Sequence, residues 1–298
     1  MNGGRTMDDD FSQTINDVTT LRRFGSVAVI AVNSPPVNAL SAAVRSGIGV
    51  ALGHAIDDNA VRKIVLVCEG RTFFAGADIR EIGKPMAEPN LRQLQAQIEQ
   101  SPKPVIAAMH GTVLGGGLEL AMAAHFRIAL SSTKLGLPEV KLGLMPGAGG
   151  TQRLPRLIGV LPAIEMMTGG VPILAPEAKA LGLIDMVFDH GEPEEQAVAF
   201  AANLGMVEPA DRRTRNRPVA GPSGDDPEVQ NAIAALRLKH QGSQAEESII
   251  ASVENTLRLP FEEGLAAEAA LFETLKASPQ SKALREAFFA RKAAAKNG

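Results

Sequence analysis

Two acidic residues in glycine-rich surroundings have the types and spacing that could do chemistry. Glu119 follows the three successive glycines Gly115–Gly117, and Glu139 precedes the glycine-rich run Pro146–Gly150. Glycines that open an apolar helix leave backbone N–H groups accessible to an anion, at the positive end of the helix dipole. A carboxylate one helical turn further on lies within reach of a ligand bound at those amides. The pattern predicts acid/base chemistry beside a stabilised oxyanion.

Each of these features also has a purely structural interpretation. Glycine clusters serve tight turns and close helix packing, and an acid in the first helical turn complements the dipole. Glu119 is flanked by Leu118 and Leu120, which predicts a partly buried carboxylate, whereas Glu139 also fits a solvated loop. The cluster Gly147–Gly150 does not match a dinucleotide-binding fingerprint, because Pro146 directly precedes it in place of a strand and the third glycine is not at the position that the fingerprint requires.

The charge balance and the other reactive residues narrow the function classes. With 30 Lys and Arg against 33 Asp and Glu, the chain has no bulk attraction to nucleic acid or to an anionic membrane. The five histidines lack metal-ligand spacing, and the single cysteine, Cys68, lies in an apolar run that predicts buried packing. We therefore expect no metal and no nucleic-acid or membrane partner. The absence of a signal sequence and of a long apolar stretch predicts a cytoplasmic protein.

Apolar runs alternate with helical periodicity in the first two hundred residues. The runs at 27–32 and 63–68 predict buried strands, and residues 40–56 predict the helix between them. This alternation predicts an α/β core, which we place at residues 1–207.

The rest of the chain has a different composition. Residues 208–228 are rich in Pro, Gly, Asp and Arg and predict a polar linker or surface excursion, in which the arginines at 212–217 are solvated. Residues 229–298 are rich in Ala, Leu, Glu and Lys with helical spacing, and predict a helical C-terminal region.

Several sequence blocks follow one another in an order typical of a known family. Together they resemble the crotonase superfamily, specifically its enoyl-CoA hydratases. Three more blocks resemble the hydratase/isomerase half of bifunctional fatty acid oxidation enzymes, although His125 stands where many hydratases carry Asp. The first set comprises Phe73–Arg80, Lys103–Ala108, Gly111–Leu120 and Gly136–Leu154, and the second Pro35–Ser41, His125–Ala129 and Phe288–Lys292.

In those bifunctional enzymes a 3-hydroxyacyl-CoA dehydrogenase half follows. This sequence reaches Gly298 without a dinucleotide fingerprint. We therefore expect either a hydratase-like product or the excised N-terminal part of a longer enzyme, with no dehydrogenase activity in this chain.

The resemblance implies a fold, a reaction and roles for five residues. The family fold is a spiral of ββα units with a helical C-terminal region. The N–H groups of Ala77 and Gly116 would polarise the thioester, Glu119 would take a proton from water as it attacks C3, and Glu139 would deliver a proton to C2. Gly147 would pack close to that water. No metal or cofactor is implied, since coenzyme A enters as part of the substrate in fatty acid β-oxidation.

The resemblance also implies binding residues for the acyl-CoA. The coenzyme A moiety would lie along the loops of Val37 and Ala75, with Arg80, where the family often has Lys, suited to a phosphate. Phe289 and Lys292 would close over the acyl or nucleotide end. The remaining implied substrate-binding residues are Gly76, Asp78, Ile79, Gly115 and Pro138.

Three alternatives stay open at this level. A Δ3,Δ2-enoyl-CoA isomerase needs only one carboxylate to move a proton between C2 and C4, although the retention of both acids favours hydration. A non-catalytic acyl-CoA binder would bind coenzyme A without turnover, and a structural half would work only beside a dehydrogenase partner. Typical hydratases of the family form homotrimers or hexamers, whereas the bifunctional proteins often stay monomeric.

Overall fold

The computed structural model describes residues 10–78, 81 and 87–297, with side chains as far as residue 291. The chain forms two compact units, and each contains two separate stretches of sequence. The first unit comprises the residues up to Leu135 together with Leu174–Asn216, and the second comprises Gly136–Ile173 together with the residues from Arg217 onward. The predicted boundaries at residues 207 and 228 follow the order of the chain, and these units do not.

A seven-stranded sheet forms the centre of the first unit, and a second sheet has three short strands. The strands are β1 (Phe11–Asn16), β2 (Thr19–Phe24), β3 (Val27–Val32), β4 (Lys63–Cys68), β5 (Val105–Met109), β6 (Thr112–Leu114), β7 (Phe126–Leu130), β8 (Lys134–Gly136), β9 (Ile173–Leu174) and β10 (Met186–Phe188). The large sheet has the order β1-β2-β3-β4-β5-β7-β10, and the small one β6-β8-β9. β1, β2 and β3 pair antiparallel, whereas β3, β4, β5, β7 and β10 are parallel.

Helices surround the sheet in the first unit and make up most of the second. Those of the first unit are α1 (Ala42–Asp57), α2 (Leu91–Gln100), α3 (Gly116–Ala123), α6 (Ala175–Ala180), α7 (Pro193–Asn203) and α8 (Pro209–Arg212). Those of the second are α4 (Gly150–Ile158), α5 (Val160–Gly169), α9 (Pro227–Lys239), α10 (Gln244–Asn255), α11 (Phe261–Ala277) and α12 (Pro279–Asn297). Within the described residues, 3₁₀-helices occupy Glu139–Leu142 and Thr214–Asn216.

The parallel strands are mostly apolar because helices cover both faces of the sheet, although β4 begins with Lys63 and β7 contains Arg127. All six residues of β3 are buried. Val27, Val29 and Ala31 belong to a core cluster that includes Ala197 and Ala201 of α7, while α1 packs against β2 and β3. Alternate residues of one strand therefore point into two different layers. This confirms the predicted α/β class and the predicted strands at 27–32 and 63–68.

The segment 208–228 contains α8 and the 3₁₀-helix Thr214–Asn216, and its arginines are not simply solvated. Arg213 donates from Nε to the carbonyl of Glu99 at 2.9 Å, and Arg212 forms an ion pair with Asp185. The prediction of a solvated arginine run is therefore wrong at these two positions. The error arose because composition cannot show that a polar segment is pinned to distant backbone carbonyls.

Candidate active site

Two predicted donor amides lie side by side in the first unit. A Cβ built on Gly116 would lie 3.1 Å from the backbone nitrogen of Ala77. Gly116 is the first residue of α3, where helical N–H groups have no intrahelical acceptor. In the part of the chain that the structure describes, neither the Gly116 N–H nor the Ala77 N–H donates a hydrogen bond. The two amides can therefore converge on one anionic oxygen.

Glycines allow the loop that carries Ala77 to approach α3. A Cβ on Gly117 would lie 2.0 Å from the carbonyl oxygen of Phe74, so only glycine fits there. Gly76 has φ of 129°, and its carbonyl accepts a 3.0 Å hydrogen bond from the N–H of Leu40. Gly115, with φ 51° and ψ −127°, adopts a backbone conformation open almost exclusively to glycine. Each glycine therefore has a geometric reason in this loop.

Glu119 lies one turn into α3, on the same short helix as the Gly116 amide. All eight residues of α3 are buried, and Glu119 is only 3% exposed. Its backbone N–H closes the first helical turn by donating to the carbonyl of Gly115 at 2.9 Å. The expectation of a partly buried carboxylate in an apolar helix is confirmed. Burial of this acid on the helix that begins with the Gly116 amide makes its side chain a candidate for proton transfer.

A pocket of about 390 Å³ brings together two residues that the sequence assigned to coenzyme A. Val37 and Ala75 both line it, and the Ala75 N–H donates to the Val37 carbonyl at 3.3 Å. Arg71, Thr72 and Thr112 complete the lining. The sequence analysis did not include Arg71, although a basic residue two positions before the block that begins at Phe73 was a usable signal.

Asn38 fixes the wall of this pocket and was also missed as a positioning residue. Its side chain is 3% exposed and its φ is 50°, in the left-handed region. The amide nitrogen Nδ2 donates to the carbonyls of Glu69 and Thr72, at 2.9 and 2.8 Å, and Oδ1 accepts from the N–H of Ser34 at 2.7 Å. One buried amide thereby ties the Val37 loop to the Arg71–Thr72 loop.

The second unit carries the other predicted acid. Glu139 is half-buried and opens the 3₁₀-helix directly after Pro138. The helix ends at Gly143, which has φ of 63°, and the N–H of Leu144 donates to the Glu139 carbonyl at 3.1 Å. In the same unit a Cβ on Gly147 would lie 2.5 Å from the ring of Phe272 on α11. Glycine is required at that position by packing.

The structure thus groups some of the predicted site residues. Ala77, Gly116 and Glu119 lie together in the first unit, and so do Val37 and Ala75. That Glu119 and Glu139 share one water remains a prediction. The other predicted site residues of the first unit are Gly76, Asp78 and Gly115, and those of the second are Pro138, Glu139, Gly147 and Phe289. Lys292 lies on α12, and its side chain is outside the described part. Ile79 and Arg80 lie outside the described residues.

Other titratable side chains in the first unit have structural roles. Cys68 is buried as predicted, and burial, aided by the charge of Glu69, raises the pKa of its thiol well above the ordinary value. Burial lowers the pKa of His110, whose Nε2 lies 3.1 Å from the carbonyl oxygen of Gly70. Among the described residues no cluster of three or more His, Cys, Asp or Glu could hold a metal ion. No helix within those residues is long and apolar enough to cross a bilayer.

Sequence comparison defines the class to which this fold and site belong. The model of the enoyl-CoA hydratase/isomerase family matches residues 22–215, and the chain therefore belongs to that family, within the crotonase superfamily. The peroxisomal bifunctional enzyme of Cavia porcellus is 40% identical over 279 residues, which are 93% of this chain and 38% of that protein. A probable enoyl-CoA hydratase of Bacillus subtilis (strain 168) is 46% identical over 192 residues, 61% of this chain and 74% of the relative.

Solved structures agree with this assignment. An enoyl-CoA hydratase of Bacillus anthracis is 30% identical with a TM-score of 0.58, and the match covers 92% of this chain and 97% of that one. A carnitinyl-CoA dehydratase of Mycobacterium thermoresistibile, at 23% identity, covers 92% of this chain and 90% of its own and shares the fold with a TM-score of 0.71. The predicted crotonase fold and the likeness to the hydratase part of bifunctional enzymes are thereby confirmed.

Membership of the family supports a crotonase-type enzyme, either a hydro-lyase or an isomerase. The chain spans about 38% of the length of the bifunctional relative from Cavia porcellus. That relative is named as peroxisomal, so the cytoplasmic location expected from the sequence stays a prediction.

Proposed function

We propose that this chain is an enoyl-CoA hydratase that adds water syn across trans-2-enoyl-CoA to give 3-hydroxyacyl-CoA. One observation carries the proposal. The Ala77 and Gly116 amides lie close together and have no acceptor in the described part of the chain, and Gly116 begins the helix that bears the buried Glu119. A binding module for acyl-CoA needs no such pair of donors, because the thioester oxygen carries full charge only during reaction.

The amide pair acts on the charge that develops during addition. When water attacks C3, electrons move through the double bond to the thioester oxygen, which becomes an enolate. Donors fixed in advance stabilise that enolate more than the neutral thioester, so they lower the barrier. Removing one donor of this kind typically costs on the order of 100- to 1,000-fold in rate. Backbone amides on a packed loop and a helix start are well suited to this role because they do not rearrange.

The two acids supply and remove protons. Glu119 takes a proton from water as the water oxygen bonds to C3, and Glu139 gives a proton to C2 as the enolate collapses. Overall, one O–H bond of water and the C2–C3 π bond break, and one C–O and one C–H bond form, so the product contains all atoms of the substrate and of one water. Proton exchange with solvent restores both acids. Carboxylates that share a water can divide these roles because their environments differ.

The pocket beside Val37 and Ala75 is our candidate for the coenzyme A moiety. Arg71 on its wall is exposed, and a guanidinium forms strong, directed hydrogen bonds with phosphate oxygens. We propose Arg71 as a phosphate contact in addition to the predicted Arg80. Coenzyme A enters and leaves with the substrate, so the proposal includes no resident cofactor or metal.

The nearest alternative is the Δ3,Δ2-enoyl-CoA isomerase. Both reactions place negative charge on the thioester oxygen, as a 3-hydroxy enolate in hydration and as a dienolate in isomerisation, and they differ in whether a second acid and a water take part. An isomerase would retain its rate after the loss of one of the two acids, whereas a hydratase would not.

The deciding experiment measures hydration by this chain across 2-enoyl-CoA chain lengths, followed by loss of the conjugated thioester absorbance. The protein contains no Trp or Tyr that would add absorbance. We expect turnover by the wild type and its abolition in Glu119→Gln and in Glu139→Gln, while Glu165→Gln, at an exposed position of α5, keeps the wild-type rate. Full hydration by either of the first two variants would refute the paired-acid mechanism.

The assembly state is a separate part of the proposal. A homotrimer or hexamer would follow the typical hydratases, and a monomer would follow the bifunctional proteins. Gel filtration with light scattering on the purified chain distinguishes these states. Binding of coenzyme A without turnover of 2-enoyl-CoA substrates of any chain length would instead favour the non-catalytic binder. Turnover only after addition of a dehydrogenase partner would favour the structural half.

A further inference from the structure

A wholly buried carboxylate in the second unit holds the start of α4 from another helix. Glu268 of α11 is 0% exposed. Its Oε1 accepts from the N–H of Gly149 at 2.7 Å, and its Oε2 accepts from the N–H of Thr151 at 3.1 Å and from the Thr151 hydroxyl at 2.6 Å. Gly149, the N-cap of α4, has no side chain that could cap the helix. The side chain of Glu268 therefore caps α4, although it lies more than a hundred positions further along the chain.

The carboxylate is part of a buried polar network. The Thr151 and Ser252 hydroxyl oxygens are 2.7 Å apart, and Nε2 of Gln152 donates to the Ser252 carbonyl at 3.0 Å. All of these side chains are 0% exposed. Burying an ionisable group is costly unless donors surround it. The hydrogen bonds that join Thr151, Ser252 and Glu268 fix the relative positions of α4, α10 and α11 in a directional way that apolar contact would not.

A second residue of α11 contacts the other end of the same loop. Phe272 lies four residues after Glu268, one helical turn along α11 and on the same face. A Cβ built on Gly147 would lie 2.5 Å from the Phe272 ring, which is too close for any residue other than glycine. Gly149 has φ of 91°, so the loop turns sharply between the two contacts. One face of α11 therefore holds the segment from Gly147 to Thr151 at both ends.

We propose that Glu268 is a positioning residue for this segment, and that through it Glu268 sets the rate of the hydration step. The inference rests on the proposed function, which places Gly147 beside the attacking water. Without Glu268 the Gly149 and Thr151 amides lose their acceptor, and the segment relaxes away from the geometry that hydration requires. A displacement of about 1 Å near reacting atoms costs on the order of 100-fold in rate. Coenzyme A binding at the Val37 pocket does not depend on this network.

The test compares Glu268→Gln with wild type in steady-state hydration of crotonyl-CoA and in hydrogen exchange of the amides at 149–151. Gln keeps the shape and one acceptor oxygen but cannot accept at both positions. We expect kcat to fall roughly 10- to 100-fold with KM within about threefold of wild type, and exchange at 149–151 to accelerate. Glu263→Gln, at an exposed position of α11, is the matched control and should change neither quantity.

Thr151→Val provides a second variant that removes only the hydroxyl. We expect an intermediate fall in kcat with the same unchanged KM, and it decides the question if Glu268→Gln does not fold. Wild-type kcat in folded Glu268→Gln, or an activity loss no larger than its unfolded fraction, would overturn the proposal and leave Glu268 as a structural cap. A wild type without hydratase activity would instead count against the proposed function, whereas the exchange measurement would still report on the cap.

Discussion

The buried histidine at the end of α3 should make this protein unusually sensitive to mild acid. Nδ1 of His125 accepts a 3.0 Å hydrogen bond from the N–H of Val105, which ties the end of α3 to the start of β5. The side chain is 0% exposed. Burial, followed by the charge of Arg213, lowers its pKa from 6.5 to about 4, with Arg127 acting in the same direction and Glu99 opposing both. The neutral imidazole is the form that fits the fold.

The sign of the pH effect follows from proton binding. Below pH 6.5 the unfolded chain protonates this histidine, whereas the folded protein does so only near pH 4. The contribution of neutral His125 to the unfolding free energy is therefore fully present above pH 6.5 and is lost as the pH falls toward 4. The gap between the two pKa values corresponds to roughly 3 kcal/mol of unfolding free energy. This is a large share of the 5–15 kcal/mol that is typical of folded proteins.

The assay compares wild type with His125→Asn in urea unfolding followed by far-ultraviolet circular dichroism, from pH 7.5 to pH 4. The Asn carbonyl can accept from Val105 and does not titrate, so we expect the variant to lose about 3 kcal/mol less over this range. Protonation of carboxylates at low pH destabilises both proteins alike, so the difference between their unfolding free energies reports on His125. His190→Asn, at an exposed position, is the control. Parallel pH curves for wild type and His125→Asn would refute the reasoning.

Two further predictions concern the amide pair and the pocket. Gly117→Ala places a Cβ 2.0 Å from the Phe74 carbonyl oxygen, which should cost about 1–3 kcal/mol in urea unfolding and at least about 100-fold in hydration rate by displacing one donor. Gly53→Ala in α1, where a Cβ meets nothing within 4 Å, should instead stabilise by roughly 0.5–1 kcal/mol. Arg71→Ala should raise KM for crotonyl-CoA about tenfold at unchanged kcat by removing a charged hydrogen bond. An equal rise in exposed Arg62→Ala would contradict that assignment.

The sequence predicted best what local patterns encode. The apolar run Val27–Val32 indicated a strand buried on both faces, and it is one. The three glycines before Glu119 indicated a helix start with accessible amides, and Gly116 opens α3 beside the Ala77 nitrogen. Both features depend on residues close to one another in the chain, where periodicity and glycine content carry the information.

What the sequence could not show depends on partners far apart in the chain. Asn38 reads as a loop residue, yet its amide joins carbonyls 31 and 34 positions away. By sequence Glu268 is one of several acids in a helix, although its two carboxylate oxygens accept hydrogen bonds from backbone amides 119 and 117 positions earlier. Neither residue type nor spacing distinguishes these side chains from solvated ones, because their role is set by tertiary contacts.

The C-terminal helices α11 and α12 also depend on contacts that the order of the sequence does not show. By sequence order they follow a linker and look like an addition to the catalytic core. In the second unit, however, α12 packs against the 3₁₀-helix that Glu139 opens, and a Cβ on Gly143 at the end of that helix would lie 3.1 Å from the Cα of Ser281. With Glu268 and Phe272 holding the following loop, α11 and α12 together support the whole stretch from Glu139 to Thr151. Removing these helices should therefore disorder that stretch and abolish hydration, rather than merely trim the protein.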